Sequence, residues 1–411
     1  MMRTRPTTSP KIQPPPTESK ENIVILGGGS SGSQVARALS LSLSLNPSKS
    51  RARFNIILIT EREYHIHLLS AHRMLVTGEG RLEEASLIPY TSLFNHGTGN
   101  GDGKANGQLK IGKAVSIEKY RDGGGGGGEV VLESGEHVPF RYLVLATGSK
   151  WDGPLAFPTD HTKLLAWIHG WRDRFSKAND IVIVGGGAVG VELAGELRDA
   201  SPHPRKKITI VHGGGMLIND TYPDKFRIGL EKSFRARDID VVLGDYVDAQ
   251  EPDGEGRVTT RRGRVIKADL VVCTTGAKPN TAFLNSLNAP SGDVLTPSGH
   301  VKTLPTLQLK AHADIFAVGD ILDFPEQKQN NKTLFHARVA VPNILALVDG
   351  KEPVKEYKGV FDVMLVTNGK NGGSGYVGRL GGFTVGDWAM KTVKSKTLFL
   401  PRTRKLFGLS A

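Results

Sequence analysis

Two short glycine-rich segments, each leaving a buried-strand apolar run and entering a helix-like stretch, restrict this chain more than anything else in it. NIVILGGGSSG places Gly27, Gly29 and Gly32 in the G-x-G-x-x-G pattern, and DIVIVGGGAVG repeats it with Gly185, Gly187 and Gly190. Glycine runs are common in turns, so one copy says little. Two copies in strand–loop–helix context predict two units in which backbone amides and a helix N-terminus cradle the pyrophosphate of a dinucleotide. The expected fold class is α/β, with two Rossmann-like dinucleotide-binding domains and a C-terminal α+β cap. Two dinucleotides held against each other have one obvious use, passing electrons from a nicotinamide to a flavin.

At 411 residues the chain is long enough for two or three domains with cores of their own. The spacing of apolar runs divides it into a tail over 1–20, a first nucleotide domain over 21–150 and 270–350, an inserted second one over 151–269, and a C-terminal domain over 351–411. The tail is rich in Pro, Thr and Ser, without the apolar stretch of a secretory signal, and its prolines spoil an amphipathic presequence helix. Residue 2 is Met, so the glycine that N-myristoylation needs is not there. No apolar run reaches the roughly 18 residues that span a bilayer. The single cysteine, Cys273, forms neither an intrachain disulfide nor a C-x-x-C pair, which fits a reducing compartment. A cytoplasmic location is expected, with membrane association and mitochondrial import left open.

Other strands follow from composition. FNIILIT (54–60) reads as the second parallel strand, with LSLSLNPSKSRAR before it as a surface insertion. LKIGKAVSIEKY and GEVVLESGEHVPF alternate like antiparallel strands, separated by low-complexity loops at 97–107 and 123–128. RYLVLATGS, KITIVH, ADLVVCTTG and IFAVGD read as strands ending in small-residue turns, and a helix is expected near 335–348.

The net charge of +12 is concentrated at the end of the chain. From Trp388 onward there are six basic residues and no acid, with Leu398, Phe399, Leu400, Leu406 and Phe407 interleaved. Such a segment either meets an anionic membrane surface or packs its leucines on the protein body. No nucleic-acid-binding motif accompanies the charge, so nucleic acid is not an expected partner.

Candidate site residues come from the loops and their flanks. Gly27, Gly29, Ser30 and Gly32 should hold one pyrophosphate. The acid that receives the adenosine ribose falls at Thr60 or Glu61, and a Glu61 merely solvated at a loop start is an equal alternative. At the second loop the equivalent strand end is His212, which does not repel a 2′-phosphate; NADH and NADPH both remain candidates. Glu192, two residues past Gly190, either touches the nicotinamide ribose or hydride path, or is a plain helix residue. Asp320 in AVGD would bind the ribityl chain of a flavin. His65, His67 and His72 cluster in EREYHIHLLSAHR, but no accompanying Cys or acid pattern supports a metal. A helix lining the flavin, with Arg73 beside it, accounts for that stretch better.

GGGSSG, LATGS, VGGGAVGVELAGEL, CTTGAKPN and AVGD, in this order, resemble the FAD-dependent pyridine-nucleotide oxidoreductases, and within them the apoptosis-inducing-factor-like group with its ferroptosis-suppressor-type quinone reductases. The stretch ending at Arg73, IVH at 210–212, FHARVAVPNI and GRLGGFTVGDWAMKTVKSKTLF carry the finer likeness. The resemblance implies non-covalent FAD, NADH or NADPH as donor, and a quinone-type acceptor at a membrane surface. It implies Gly27, Gly29, Gly32, Arg73, Val115, Thr147, Gly148 and Asp320 at FAD, and Gly185, Gly187, Gly190, Glu192, His212 and Gly276 at the nicotinamide nucleotide. It puts His336 beside the flavin and acceptor, with Glu192 as the second catalytic candidate. The rival readings are a reductase for a carrier protein and a nucleotide-binding effector that meets nucleic acid. A thiol–disulfide reductase would need the cysteine pair this chain lacks.

Overall fold

Strands that are apolar without alternation need cover on both faces, which parallel sheets flanked by helices provide. Both glycine loops leave such a strand: Ile23–Leu26 and Ile181–Val184 are buried throughout. A computed structural model describes residues 20–45, 48–95, 107–120, 126–201, 206–288, 293–379 and 381–410. The tail reading for 1–19 and the loop readings for 97–106 and 123–125 lie outside the described residues. The chain forms two units, Met1–Glu63 with Leu93–Gly148 and Pro279–Lys358, and Tyr64–Ser92 with Ser149–Lys278 and Gly359–Ala411.

In the first unit a six-stranded sheet runs in the order Gln308–Leu309, His312–Ala317, Tyr142–Leu145, Glu21–Leu26, Phe54–Thr60, Gly107–Ile111. All pairs are parallel except the first. The strand before the glycine loop is therefore central, and the helix Ser30–Leu45 covers the sheet with Val35, Leu39 and Leu43 buried. That helix absorbs LSLSL, the first half of the expected surface insertion. Leu39 and Leu43 stand one turn apart facing the core, and Ser44 Oγ donates to the Ser40 carbonyl at 2.9 Å. LKI is likewise corrected: it forms the parallel edge strand, and only Ala114–Lys119 joins Gly128–Leu132 and His137–Phe140 in an antiparallel sheet.

The second unit repeats the plan with four parallel strands in the order Ile239–Leu243, Lys207–His212, Asp180–Val184, Leu270–Cys273. The helix Ala188–Ala200 leaves the second glycine loop. The C-terminal stretch, expected as a separate cap, belongs from Gly359 onward to this unit. It contributes the antiparallel strands Val363–Thr367, Gly373–Val377 and Phe383–Val385, then helical turns from Asp387 to Leu406. Leu398, Leu400 and Phe407 are buried, and the Phe407 ring stacks 4.9 Å from His65. For these three the packing alternative holds. Exposed apolar surface lies earlier, at Trp388 (83 %) and Val393 (50 %).

Candidate functional site

Each glycine loop repeats one arrangement. The first glycine of each, Gly27 or Gly185, has φ of +112° or +115°, a backbone that only glycine adopts readily. A Cβ on the third would lie 1.8 Å from the Gly27 carbonyl oxygen for Gly32, and 2.0 Å from that of Gly185 for Gly190. The middle glycines differ: a Cβ on Gly29 or Gly187 meets nothing within 4 Å. The protein's own packing does not demand glycine there. What the two positions share is a bare approach to the N-terminus of a long helix without an acid in its first turn. Such a cradle fits the pyrophosphate of a dinucleotide, whose charge is favoured at the positive end of the helix dipole.

Around the first loop, Ser30 begins the helix, and Gly27 N–H donates to the Ile59 carbonyl at 2.8 Å, which sets the loop beside the end of Phe54–Thr60. Thr60 is buried there and Glu61 exposed, so of the two ribose candidates Glu61 is the accessible one. Val115 is exposed on the strand Ala114–Lys119. Thr147 Oγ1 donates to the Asn280 carbonyl at 2.7 Å, and Gly148 turns with φ of +62°. Gly319, at φ +83°, brings its backbone against Ser31, which puts Asp320 next to the start of the loop helix.

His336 stands behind this turn. Its Nδ1 accepts from Gly319 N–H at 3.1 Å, and its Nε2 donates to Glu326 Oε1 at 2.9 Å. Glu326 Oε2 accepts from Tyr357 Oη at 2.6 Å and lies 3.5 Å from Lys332 Nζ. Burial pushes the Glu326 carboxyl up, but its bonds with His336 and Tyr357 and the Lys332 charge hold it below the usual range. Burial and the Glu326 partner push the Tyr357 phenol up. Both ring nitrogens of His336, the expected catalytic histidine, are engaged, and the imidazole positions the Gly319–Asp320 turn.

Around the second loop, Thr274 Oγ1 donates to the carbonyls of Val184 and Gly185 at 3.0 and 3.1 Å. His212 accepts from Gly186 N–H through Nδ1 at 3.1 Å, and burial together with Arg227 pushes its pKa down, which suits an acceptor. His212 thus braces the loop. Gly276 follows the strand Leu270–Cys273 with open space where a Cβ would stand.

Glu192 is no plain surface residue of its helix. Its Oε1 accepts from Thr367 N–H at 2.9 Å and from Lys394 Nζ at 2.6 Å, and its Oε2 faces His72 Nδ1 at 3.7 Å. Burial raises this carboxyl, yet Lys394, His72 and the Thr367 amide together hold it below its ordinary value. Burial pushes His72 down, against the pull of Glu192 and with that of Lys394, so the imidazole is neutral near pH 7. Its Nε2 is buried with no hydrogen-bond partner among the described residues. His72 lines a small pocket with Trp151, Val189, Leu193, Cys273 and Thr274. Burial, with Asp152 and Glu251, pushes the Cys273 thiol up.

Arg73, expected beside the flavin, has protein partners for its guanidinium. It is buried in the second unit, where Nε and Nη2 fork Glu196 at 2.8 Å each and Nη2 also meets the Ser395 carbonyl at 2.7 Å. A buried guanidinium takes the nearest carboxylate that can satisfy its planar donor pair. His67 Nε2 lies 2.8 Å from the Leu398 carbonyl, so the three clustered histidines reach three different neighbours. Lys394 was hidden from sequence reasoning among the basic residues of the tail.

Residues 21–341 match the pyridine nucleotide-disulphide oxidoreductase family. An FAD-dependent oxidoreductase of Flammulina velutipes is 43 % identical over 337 residues, covering 82 % of this chain and all of that protein. The ferroptosis suppressor protein 1 of Homo sapiens is 30 % identical, with 93 % and 95 % of the two chains covered. Apoptosis-inducing factor homolog B of Dictyostelium discoideum is 28 % identical, with 94 % and 96 % covered. Among solved structures, the sulfide:quinone oxidoreductase of Aquifex aeolicus shares the fold at a TM-score of 0.71 and 18 % identity, over 94 % of this chain and 92 % of that one. The chain belongs to the pyridine nucleotide-disulphide oxidoreductase family, as a flavoprotein oxidoreductase with FAD and NAD(P)H as its cofactors.

Proposed function

We propose that this protein delivers the electrons of NAD(P)H, by way of FAD, to a quinone-type acceptor at a membrane surface. The observation that carries the reading is the pairing of two dinucleotide cradles with a single cysteine. Without a dithiol to reduce, the electrons leave for an external acceptor, and a quinone can take both of them. When bound, FAD supplies a ring that takes hydride from the nicotinamide and yields electrons to the acceptor. In this reading Gly27, Gly29, Ser30 and Gly32 hold the FAD pyrophosphate, Glu61 the ribose and Asp320 the ribityl chain, while His336 fixes the turn that carries Asp320. Gly185, Gly187 and Gly190 hold the nicotinamide nucleotide, and the Glu192–Lys394 pair keeps a fixed charge beneath the pocket.

Trp388 and Val393 are exposed beside the exposed Lys391 and Lys396, and no acid follows Asp387. Amphipathic aromatic and basic groups together suit an anionic lipid surface. No helix among the described residues is long and apolar enough to cross a membrane.

The test is anaerobic mixing of purified holoprotein with NADH or NADPH, followed by short-chain ubiquinone. Flavin absorbance should bleach and then return. Gly187→Val, whose side chain enters open space in the protein but blocks the phosphate approach, should retain flavin and lose bleaching at ordinary nucleotide concentrations. Wild-type bleaching without recolouring by ubiquinone overturns the quinone assignment.

A further inference from the structure

We propose that His72 reads the carboxamide of the nicotinamide nucleotide, offering Nε2 as the acceptor for the carboxamide N–H2 group. The inference rests on the second glycine loop being the nicotinamide nucleotide cradle.

The pocket that His72 lines is built from that cradle's own parts. Val189 and Leu193 stand on the helix that leaves the loop, and Thr274 bonds the Gly185 carbonyl. Cys273 ends the strand paired in parallel with Asp180–Val184. In doubly wound sheets ligands bind outside the carboxyl ends of such strands. A dinucleotide anchored by its pyrophosphate at Gly185–Gly190 sends one half along this edge, and the apolar walls of Trp151, Val189 and Leu193 suit a flat ring.

Among the buried side-chain polar atoms of the residues that line the pocket, His72 Nε2 is the one without a hydrogen-bond partner among the described residues. Glu192 Oε1 is taken by Thr367 N–H and Lys394, and Lys394 Nζ also donates to the Leu365 carbonyl at 2.7 Å. The His72 ring turns Nδ1 to Glu192, and a carboxylate on that side favours the tautomer with the proton on Nδ1. Nε2, on the opposite edge of the ring, is then a lone-pair acceptor, buried and unpartnered among the described residues. Leaving such an atom unsatisfied is unfavourable, and buried polar groups are paired in the great majority of structures. A donor on the ligand completes it. The pyridine carboxamide of the nucleotide presents such a donor on a ring of the right shape.

The experiment measures binding to oxidised holoprotein, where no turnover occurs, for NAD+, for its 3-acetylpyridine analogue, which has a methyl in place of the amide N–H2, and for ADP-ribose, which has no pyridine. One hydrogen bond predicts that the wild type binds NAD+ about five- to tenfold more tightly than the acetylpyridine analogue. In His72→Leu this ratio should fall to about one with ADP-ribose affinity unchanged, and His72→Gln, whose amide oxygen accepts, should recover part of the ratio. A His72→Leu variant that weakens NAD+ and the analogue equally, or weakens ADP-ribose as well, shows a structural role and overturns the inference. Equal wild-type affinities for NAD+ and ADP-ribose would leave the cradle standing and remove His72 from it. A wild type that binds none of the three would overturn the cradle and the inference together.

Discussion

Two glutamates with largely covered carboxylates, one in each unit, are assembled from nearly the same parts and end differently. Glu326 meets a histidine, a lysine and a tyrosine, and every member is used up: His336 spends its second nitrogen on Gly319 N–H. Glu192 meets a histidine, a lysine and a backbone amide, but its histidine lies 3.7 Å away and keeps Nε2 for whatever enters the pocket. A closed network fixes backbone, here the turn that carries Asp320. An open one holds a valence in reserve for a ligand. The same residue types thus serve scaffold in one unit and recognition in the other, and only the full hydrogen-bond accounting separates them.

The contrast can be broken most forcefully by removing each carboxylate. Lys332 and Lys394 are both buried, so Glu326→Ala and Glu192→Ala each remove a carboxylate beside a buried cation and should cost about 3–5 kcal/mol in denaturant unfolding. Stability alone does not tell them apart; binding does. Glu326→Ala should keep the wild-type preference for NAD+ over the acetylpyridine analogue, whereas Glu192→Ala should erode it, because His72 loses the carboxylate that sets its tautomer. A Glu326→Ala variant with altered preference would remove the distinction.

Tyr357→Phe makes a gentler probe of the closed network. It deletes the 2.6 Å donor to Glu326 Oε2 while keeping the ring, and a buried acceptor left short should cost about 1–3 kcal/mol. Unfolding midpoints should shift and nucleotide affinities should not. An unchanged midpoint would mean that the Glu326 cluster is open to water after all.

Sequence reasoning reached the sheets and the two cradles because their signals are local. An apolar run, a glycine triplet and an apolar-faced helix lie within about 25 residues, and packing has no freedom to override them. It missed the helix His161–Lys177, although Asp160 caps it through Lys163 N–H and Leu164, Ile168, Trp171 and Phe175 recur at helical spacing. That signal was present and unused. The open cluster carries no comparable signal. Glu192 and Lys394 are 202 positions apart, and nothing in KTVKSK marks one lysine as buried among exposed neighbours. Arg73 looked like a ligand-facing cation for the same reason: its partner Glu196 stands 123 positions away. Charge pairing at long range is decided by the fold, and the tail's apparent uniformity dissolves once the chain has turned back on the second unit's helix.

The smallest effect tests the protonation state that the open cluster requires. Burial, aided by Lys394, sets the folded His72 below the ordinary histidine value of about 6.5, and Glu192 opposes this without prevailing. The other titratable groups at the pocket are Asp152 and Cys273. Above pH 6.5 the imidazole is neutral in both folded and unfolded chains and contributes no slope. As the pH falls below 6.5 the unfolded chain takes the proton first, so stability declines until the folded pKa is reached. One proton corresponds to about 1.36 kcal/mol per pH unit. His67, His212, His300 and His312 are also depressed and remain in either protein, so they cancel in a comparison of wild type with His72→Leu. The variant's stability should therefore fall less steeply as the pH drops below about 6.5, by up to one proton's slope. NAD+ affinity should hold through that window and weaken below it, in the wild type alone, once the folded imidazole takes its proton, because a protonated Nε2 donates where the carboxamide needs an acceptor. Equal slopes in the two proteins would mean that folding leaves the His72 pKa unshifted, so that burial does not keep the imidazole a neutral acceptor below pH 6.5.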